Sequence, residues 1–136
     1  MYTVYTMYTM SLPRPICTRM PATLEAELER RLDELDWSPS EGLRNIVTEW
    51  LAIQRYPDLE FRDTALGRRA AIRSGPEVWE ILAVADSPGV TDGGAEHFSW
   101  VRGAAIEQAN DYAAAFPTEI RRIIERNRRL ADRSGP

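Results

Sequence analysis

Residues 15–57 read PICTRMPATLEAELERRLDELDWSPSEGLRNIVTEWLAIQRYP, and this stretch decides the fold of the N-terminal part of the chain. Apolar and polar side chains alternate from Ile16 to Met20, which is the period of a β-strand, and Pro15 and Pro21 bound the alternation. A single strand is not stable by itself. The pattern therefore predicts a short strand over residues 15–20 that must pair with another strand.

Two amphipathic helices are predicted to follow this strand. The first runs from about Ala22 to Leu35 and places its leucines on one stripe: Leu24, Leu28, Leu32 and Leu35. In the second, Ser38 is expected to cap the N-terminus, Pro39 to be the first helical residue and Glu41 to complete a capping box. This second helix runs to about Arg55, and its apolar side chains also share one stripe: Leu43, Ile46, Val47, Trp50 and Leu51.

A strand and two helices in about forty residues resemble the ribbon-helix-helix family of repressors and antitoxins. The resemblance rests on residues 16–21, on the Leu24-Leu28-Leu32 stripe and on residues 38–41. It implies a homodimer in which two strands form an antiparallel ribbon that enters the major groove of operator DNA. It also assigns DNA-binding residues: Cys17 and Arg19 toward the base edges, Arg14 at the end of the ribbon, and Ser38 and Ser40 on a backbone phosphate.

The second half of the chain is predicted to hold a hairpin and more helices. Short strands are expected at Leu59–Arg62 and Arg69–Ile72 around a turn at Leu66–Gly67. A helix then starts at Pro76, and two helical pieces flank a turn near residues 99–103, the second running from Ala104 to Phe116. The last helix is expected to begin with Thr118 as its N-cap.

Four segments of this half are similar to a family of helix-turn-helix-like antitoxins that pair with PIN-type ribonuclease toxins. They are LEFRD (59–63), GRRA (67–70), GPEVWEIL (75–82) and YAAAFPTEI (112–120), and the match covers residues 57–125. In the recognition helix that this resemblance implies, Arg102 and Gln108 are the side chains suited to DNA, whereas Glu107 and Asp111 repel phosphate. The balance favours a protein-interaction or dimer-supporting role for this module. Arg68, Arg69 and Arg73 are either an alternative phosphate patch or an ordinary solvated strand edge.

The last helix is the predicted partner-binding element. Ile120 and Ile124 form an apolar stripe with Arg121 and Arg128 beside it, which fits a groove in an acidic partner such as a PIN-type toxin. The alternative is that the isoleucines pack on the protein's own core and the arginines are solvated.

Charge and composition limit the possible functions. The net charge of −4 means that DNA must be bound by a local patch, and residues 117–136 carry six arginines against three acids, which is +3. One cysteine and one histidine, His97, exclude a disulfide and a Cys/His metal cluster. No nucleophile, base or phosphate loop is recognisable, and no apolar run is long enough to span a membrane, so we predict a cytoplasmic protein that is not an enzyme and needs no cofactor.

These observations predict a mainly α protein: an N-terminal ribbon-helix-helix, then a small helix-turn-helix-like domain with a short β-hairpin. The expected divisions are a disordered tail or translated upstream DNA over 1–11, then 12–56, 57–117 and a basic helix over 118–136. If the first segment is translated upstream DNA, Met10 is the expected native start, and Met1 and Met20 are the alternatives. The predicted function is a DNA-binding antitoxin that represses its own operon and neutralises a ribonuclease. The alternative is an adaptor protein that does not bind DNA.

Overall fold

The protein is described by a computed structural model that covers residues 14–135, so the predicted tail and the choice of start residue lie outside the described part of the chain. Helices make up 56% of the structure. The described elements, in chain order, are Ala22–Glu34 (α1), Pro39–Arg55 (α2), Leu59–Thr64 (β1), Gly67–Ile72 (β2), Val78–Ala85 (α3), Gly103–Ala115 (α4) and Pro117–Arg133 (α5). The prediction of a mainly α fold with a short hairpin is confirmed.

Local sequence sets the ends of α1 and α2 as predicted. Ser38 is the N-cap of α2, its Oγ accepts a hydrogen bond from the Glu41 amide at 3.3 Å, and Pro39 occupies the first helical position. A capping box would also need the Glu41 carboxylate to accept a hydrogen bond from the Ser38 amide. Within residues 14–135 this second bond is not formed. Leu32 of α1 is 3% exposed and lies against Gly42 of α2, where a side chain would overlap its methyl groups. The absence of a Cβ at residue 42 therefore lets the two helices approach closely.

The hairpin forms at its predicted place with longer strands. β1 and β2 are antiparallel and pair from Leu59 opposite Ile72 to Thr64 opposite Gly67, which leaves a two-residue turn at 65–66. Gly67 follows the turn with a φ of 111°, a conformation that only glycine adopts without strain. The turn is thus fixed by local chemistry.

One hydrophobic core joins α2 through α5. It contains Tyr56 at the end of α2, Leu59 and Ile72 of the hairpin, and side chains of all three later helices. The most deeply buried large side chains are Tyr112, Leu59, Ile81, Ile120 and Val78. The last helix therefore packs on the same core as the hairpin.

Residues 14–20 form no strand within the single chain, and Ile16 is 97% exposed. The predicted strand requires a second chain to pair with, so it stays a prediction. Two further local predictions need correction. The first of the two helical pieces flanking residues 99–103 is a series of turns. Thr118 is not an N-cap, since α5 begins at Pro117 immediately after Phe116, which also ends α4. Proline suits this first helical position because its φ is fixed and it has no N–H that would need a partner.

Candidate functional site

The N-terminal segment lies free on the surface. Arg14, Cys17 and Arg19 are all exposed, and residues 14–21 contain no acidic side chain. Ser40 is exposed as well, whereas the hydroxyl of Ser38 is already engaged as the cap of α2. The structure thus leaves the predicted DNA-binding residues of this segment accessible.

The apolar side chains of α2 face away from the core. Trp50 is 60% exposed and Val47 is 55% exposed, and the three other members of the predicted stripe exceed 40%. The side of α2 that packs inward is more polar: it consists of Gly42, Asn45, Thr48, Glu49 and Ala52. We call the outward residues Leu43, Ile46, Val47, Trp50 and Leu51 the α2 stripe. Nothing in residues 14–135 covers it.

An ion-pair network holds the polar side of α2 on the hairpin. The guanidinium of Arg68 binds Glu49 through two atoms, with Nε at 2.8 Å and Nη2 at 2.7 Å from Oε1, and its Nη1 contacts Asp63 at 2.7 Å. Arg31 of α1 extends the network by pairing with Asp63. Hydrogen bonds to Arg68 and Arg31 hold the pKa of Asp63 below its usual value although burial opposes the shift. This network connects the polar side of α2 to the hairpin and to α1.

The residues predicted to form a DNA-reading helix serve the fold instead. Gln108 of α4 accepts a hydrogen bond from the Asp58 amide at 2.8 Å, and its Nε2 donates to the Asp58 carboxylate at 3.0 Å. Arg102 lies 3.5 Å from the same carboxylate. Gln108 therefore has a structural role in holding Asp58, and its contact with a DNA base stays a prediction. Arg102 remains largely exposed, with its ion pair at the surface.

The structure contradicts one part of the partner-binding prediction for α5 and leaves the other part open. Ile120 is 1% exposed and Ile124 is 8% exposed, so both belong to the protein's own core and cannot enter a groove of another protein while that core is intact. Arg121 lies 3.6 Å from Asp86, and Arg128 is exposed. The isoleucine part of the prediction is wrong, and the two arginines stay accessible.

A different set of α5 arginines lines a surface cleft. This cleft of about 900 Å³ lies between α5, β2 and the start of α2, and we call it the arginine cleft. The α5 residues Arg122, Arg126, Arg129 and Arg133 follow one another at intervals of four, three and four, which places them along one face of the helix. Arg68 and Arg69 of β2 complete its basic lining. The predicted partner residues Arg121 and Arg128 are not part of this lining.

Two titratable side chains lie partly or fully buried in this cleft. Arg69 is 4% exposed, its Nη1 has no hydrogen-bond partner, and burial lowers the pKa of its guanidinium. Glu119 is partly buried, and burial raises the pKa of its carboxyl from 4.5 to about 7, although a hydrogen bond from the Tyr112 hydroxyl at 3.3 Å opposes the shift. The phosphate patch of Arg68, Arg69 and Arg73 is thus not formed, because Arg68 is paired and Arg69 is buried.

Sequence reasoning missed the cleft, although part of its pattern is visible. The interval of four, three and four residues among the α5 arginines is detectable as a charged helical stripe. The burial of Arg69 has no such indication, since strand residues next to a turn are usually solvated.

The smaller cavity, of about 520 Å³, includes the only histidine of the chain. His97 is exposed, and its ring lies 4.7 Å from that of Phe98. Asp92 accepts hydrogen bonds from the Gly94 and Glu96 amides, which lowers its pKa and closes the loop. Across residues 14–135, no group of three or more His, Cys, Asp or Glu side chains is arranged to hold a metal ion.

Comparison with protein-family models, with curated proteins and with solved structures found no match for this chain. Among the described helices, none combines the length and the apolar character that crossing a membrane requires.

Proposed function

We propose that this protein is a homodimeric, non-catalytic DNA-binding regulator whose two N-terminal segments form the DNA-contacting element. The observation that carries the proposal is the exposed α2 stripe, which follows an exposed, acid-free segment with two arginines. A second copy of the chain could cover the apolar face of α2 and could also pair with the segment 14–20, which has no regular structure in the single chain. The ribbon-helix-helix resemblance of residues 16–41 supplies the arrangement.

Burial of the α2 stripe favours dimerisation. Monomeric proteins rarely expose a large apolar patch, and each large apolar side chain removed from water contributes about 1.5–3 kcal/mol. Leu24 of α1 is also 50% exposed, so apolar area from both helices is available. Two copies related by a two-fold axis would bring identical stripes together.

Dimerisation through α2 can be tested with Trp50→Asp. We expect wild type to have the mass of two chains in size-exclusion chromatography with light scattering, and Trp50→Asp to have the mass of one chain with an unchanged far-UV circular dichroism spectrum. Trp100→Asp is the matched control, because Trp100 is 71% exposed but lies outside the stripe. A wild-type mass of one chain at micromolar concentration would exclude this dimer.

DNA binding can be tested on the segment that the proposal assigns to it. A gel shift with the DNA upstream of the protein's own gene is expected for wild type at low salt, with at least a tenfold loss for Arg19→Ala. Arg128→Ala removes the same charge from an exposed site on α5 and should change the affinity less than twofold. The absence of any shift for wild type at low salt would contradict the proposal, because phosphate contacts are strongest there.

The antitoxin role and the PIN-type toxin partner belong to the same proposal and are supported by the resemblance of residues 57–125. The alternative function, an adaptor that does not bind DNA, is favoured by one specific observation: Gln108 is engaged with Asp58 and Arg102 lies beside the same carboxylate, so the second module offers no free pair of DNA-reading side chains. The gel shift separates the two functions.

A further inference from the structure

The arginine cleft contains a buried cation without an anion. Arg69 is only 4% exposed, and its Nη1 has no hydrogen-bond acceptor. Burial removes the water that hydrates a guanidinium group. This desolvation destabilises the folded protein unless other hydrogen bonds replace those that water made. Glu119 and Glu77 act on Arg69 only through longer-range electrostatic attraction. The described chain therefore supplies no hydrogen-bond acceptor to this nitrogen.

The α5 arginines extend this positive charge along the cleft. From Arg122 to Arg133 the stripe spans twelve residues, which is a rise of roughly 16 Å along the helix at 1.5 Å per residue. In the part of the chain that the structure describes, none of the four arginines forms an ion pair, in contrast to Arg121 and Arg102. Their charges are available to a ligand.

Apolar side chains lie among these arginines and narrow the class of ligand. Trp37, Leu66, Ile123 and Leu130 line the same cleft, and Leu130 is 40% exposed. A phosphodiester backbone would use the arginines but not these side chains. Guanidinium groups also bind carboxylates through two hydrogen bonds, and an acidic protein segment can present carboxylates and apolar side chains together.

Three glutamates in the lining also disfavour nucleic acid as the ligand. Glu41, Glu119 and Glu125 interrupt the positive surface, which disfavours a continuous row of phosphates but accommodates a few spaced carboxylates. We propose that the arginine cleft binds an acidic, amphipathic segment of a partner protein, whose carboxylates pair with Arg69 and the α5 arginines and whose apolar side chains contact Leu130 and Trp37. In this arrangement the partner enters a cleft of this protein.

The proposal is tested by fluorescence anisotropy with a labelled helical peptide of about 14 residues, a length that spans the stripe and carries glutamates on one face and leucines beside them. At about 0.1 M salt, Arg126→Gln with Arg129→Gln is expected to weaken binding at least tenfold. The matched control is Arg121→Gln with Arg128→Gln, which removes the same charge from the outer face of the same helix and should change binding less than twofold. The same peptide with glutamine in place of glutamate should not bind.

Arg69→Met gives a second, independent readout. It is expected to weaken peptide binding and to raise Tm, because the substitution removes a buried charge that has no partner. A lower Tm with unchanged peptide affinity would show that Arg69 supports the fold and would overturn its role in binding.

Several results would contradict the proposal. Equal losses for the two double variants would indicate binding by net charge alone. A duplex of about 20 base pairs that binds more tightly than the peptide at the same salt, with the same dependence on Arg126 and Arg129, would assign the cleft to nucleic acid. A change in the number of chains for the Arg126 and Arg129 variant would identify a second copy as the occupant. None of these outcomes depends on whether the N-terminal segment binds DNA.

Discussion

Glu119 is a carboxyl group whose protonation is coupled to folding. It lies at the start of α5, accepts a hydrogen bond from Tyr112 and has a pKa raised by burial to about 7. Among the described residues, its charged neighbours are Glu49 of α2, which raises the pKa, and Arg69 of β2, which lowers it. The folded state therefore prefers the protonated form of Glu119 more strongly than the unfolded state does.

The sign of the resulting pH dependence follows from linkage. Because the folded pKa of about 7 lies above the ordinary value of 4.5, the contribution of Glu119 is fully present below about pH 4.5 and is lost as the pH rises through about 7. Glu119→Gln keeps an acceptor for Tyr112 without the charge. We expect this variant to be more stable than wild type at pH 8, by about 1–3 kcal/mol, and equally stable at pH 4.5.

Urea denaturation at several pH values measures this difference. Glu125→Gln is the control, because Glu125 is exposed on the same helix and should leave the pH profile unchanged. A Glu119→Gln profile parallel to that of wild type between pH 4.5 and 8 would show that Glu119 ionises normally in the folded protein.

At the scale of elements, the position of α2 is decided by charge. The outward side of this helix is more hydrophobic than the side that faces the hairpin. On the hairpin side, the side chain of Glu49 is only 8% exposed and that of its partner Arg68 is 22% exposed. A buried carboxylate is stable only with its partner, so removal of Arg68 leaves an uncompensated charge.

Arg68→Met is therefore expected to lower the free energy of unfolding by about 3–5 kcal/mol at pH 7, measured by urea denaturation. Arg31→Met is the matched control from the same network, because Arg31 is 49% exposed and its ion pairs at the surface are worth less than about 1 kcal/mol. In the double variant Arg68→Met with Glu49→Met, much of the lost stability should return. Equal effects of the two single variants would mean that the Glu49 pair does not position α2.

At the scale of the whole molecule, α5 is part of the cooperative core. Ile120 is 1% exposed and belongs to the same cluster as Ile81 of α3 and Leu59 of β1. We expect Ile120→Ala to cost about 2–5 kcal/mol, since it leaves a cavity in that cluster. Unfolding followed by tryptophan fluorescence and by circular dichroism should still give one transition.

Leu130→Ala is the control for this prediction. Leu130 lies on the same helix but is 40% exposed, so its loss should cost less than about 1 kcal/mol. If Ile120→Ala were as mild as Leu130→Ala, α5 would be an appendage of the folded unit.

Two regions on the surface of this acidic molecule are basic. The net charge is −4, yet the exposed segment 14–21 and the arginine cleft are both basic. An acidic molecule with two basic surfaces binds anions only where those surfaces lie, and such binding weakens steeply with salt.

The secondary structure could be predicted because its causes are local. The α1 and α2 boundaries, the Ser38 cap and the hairpin turn at Gly67 depend on residues within a few positions of one another. The predicted N-cap at Thr118 was wrong, because Phe116 is both the residue that ends α4 and the residue before α5. Of the candidate site, the exposure of Arg19 could be predicted, because the alternation of residues 16–20 places it on the opposite side from Ile16 and Met20.

The remaining assignments depended on contacts between distant parts of the chain. By itself, the sequence determined that α2 and α5 each carry an apolar stripe, because helical periodicity is visible within each segment. Only the tertiary structure decided that the stripe of α5 is buried and that of α2 is exposed, and that Gln108 is bound by Asp58, fifty positions away. The physical reason is that the burial of a helix face depends on the surfaces that other elements offer it, and here the hairpin offers Arg68 to Glu49.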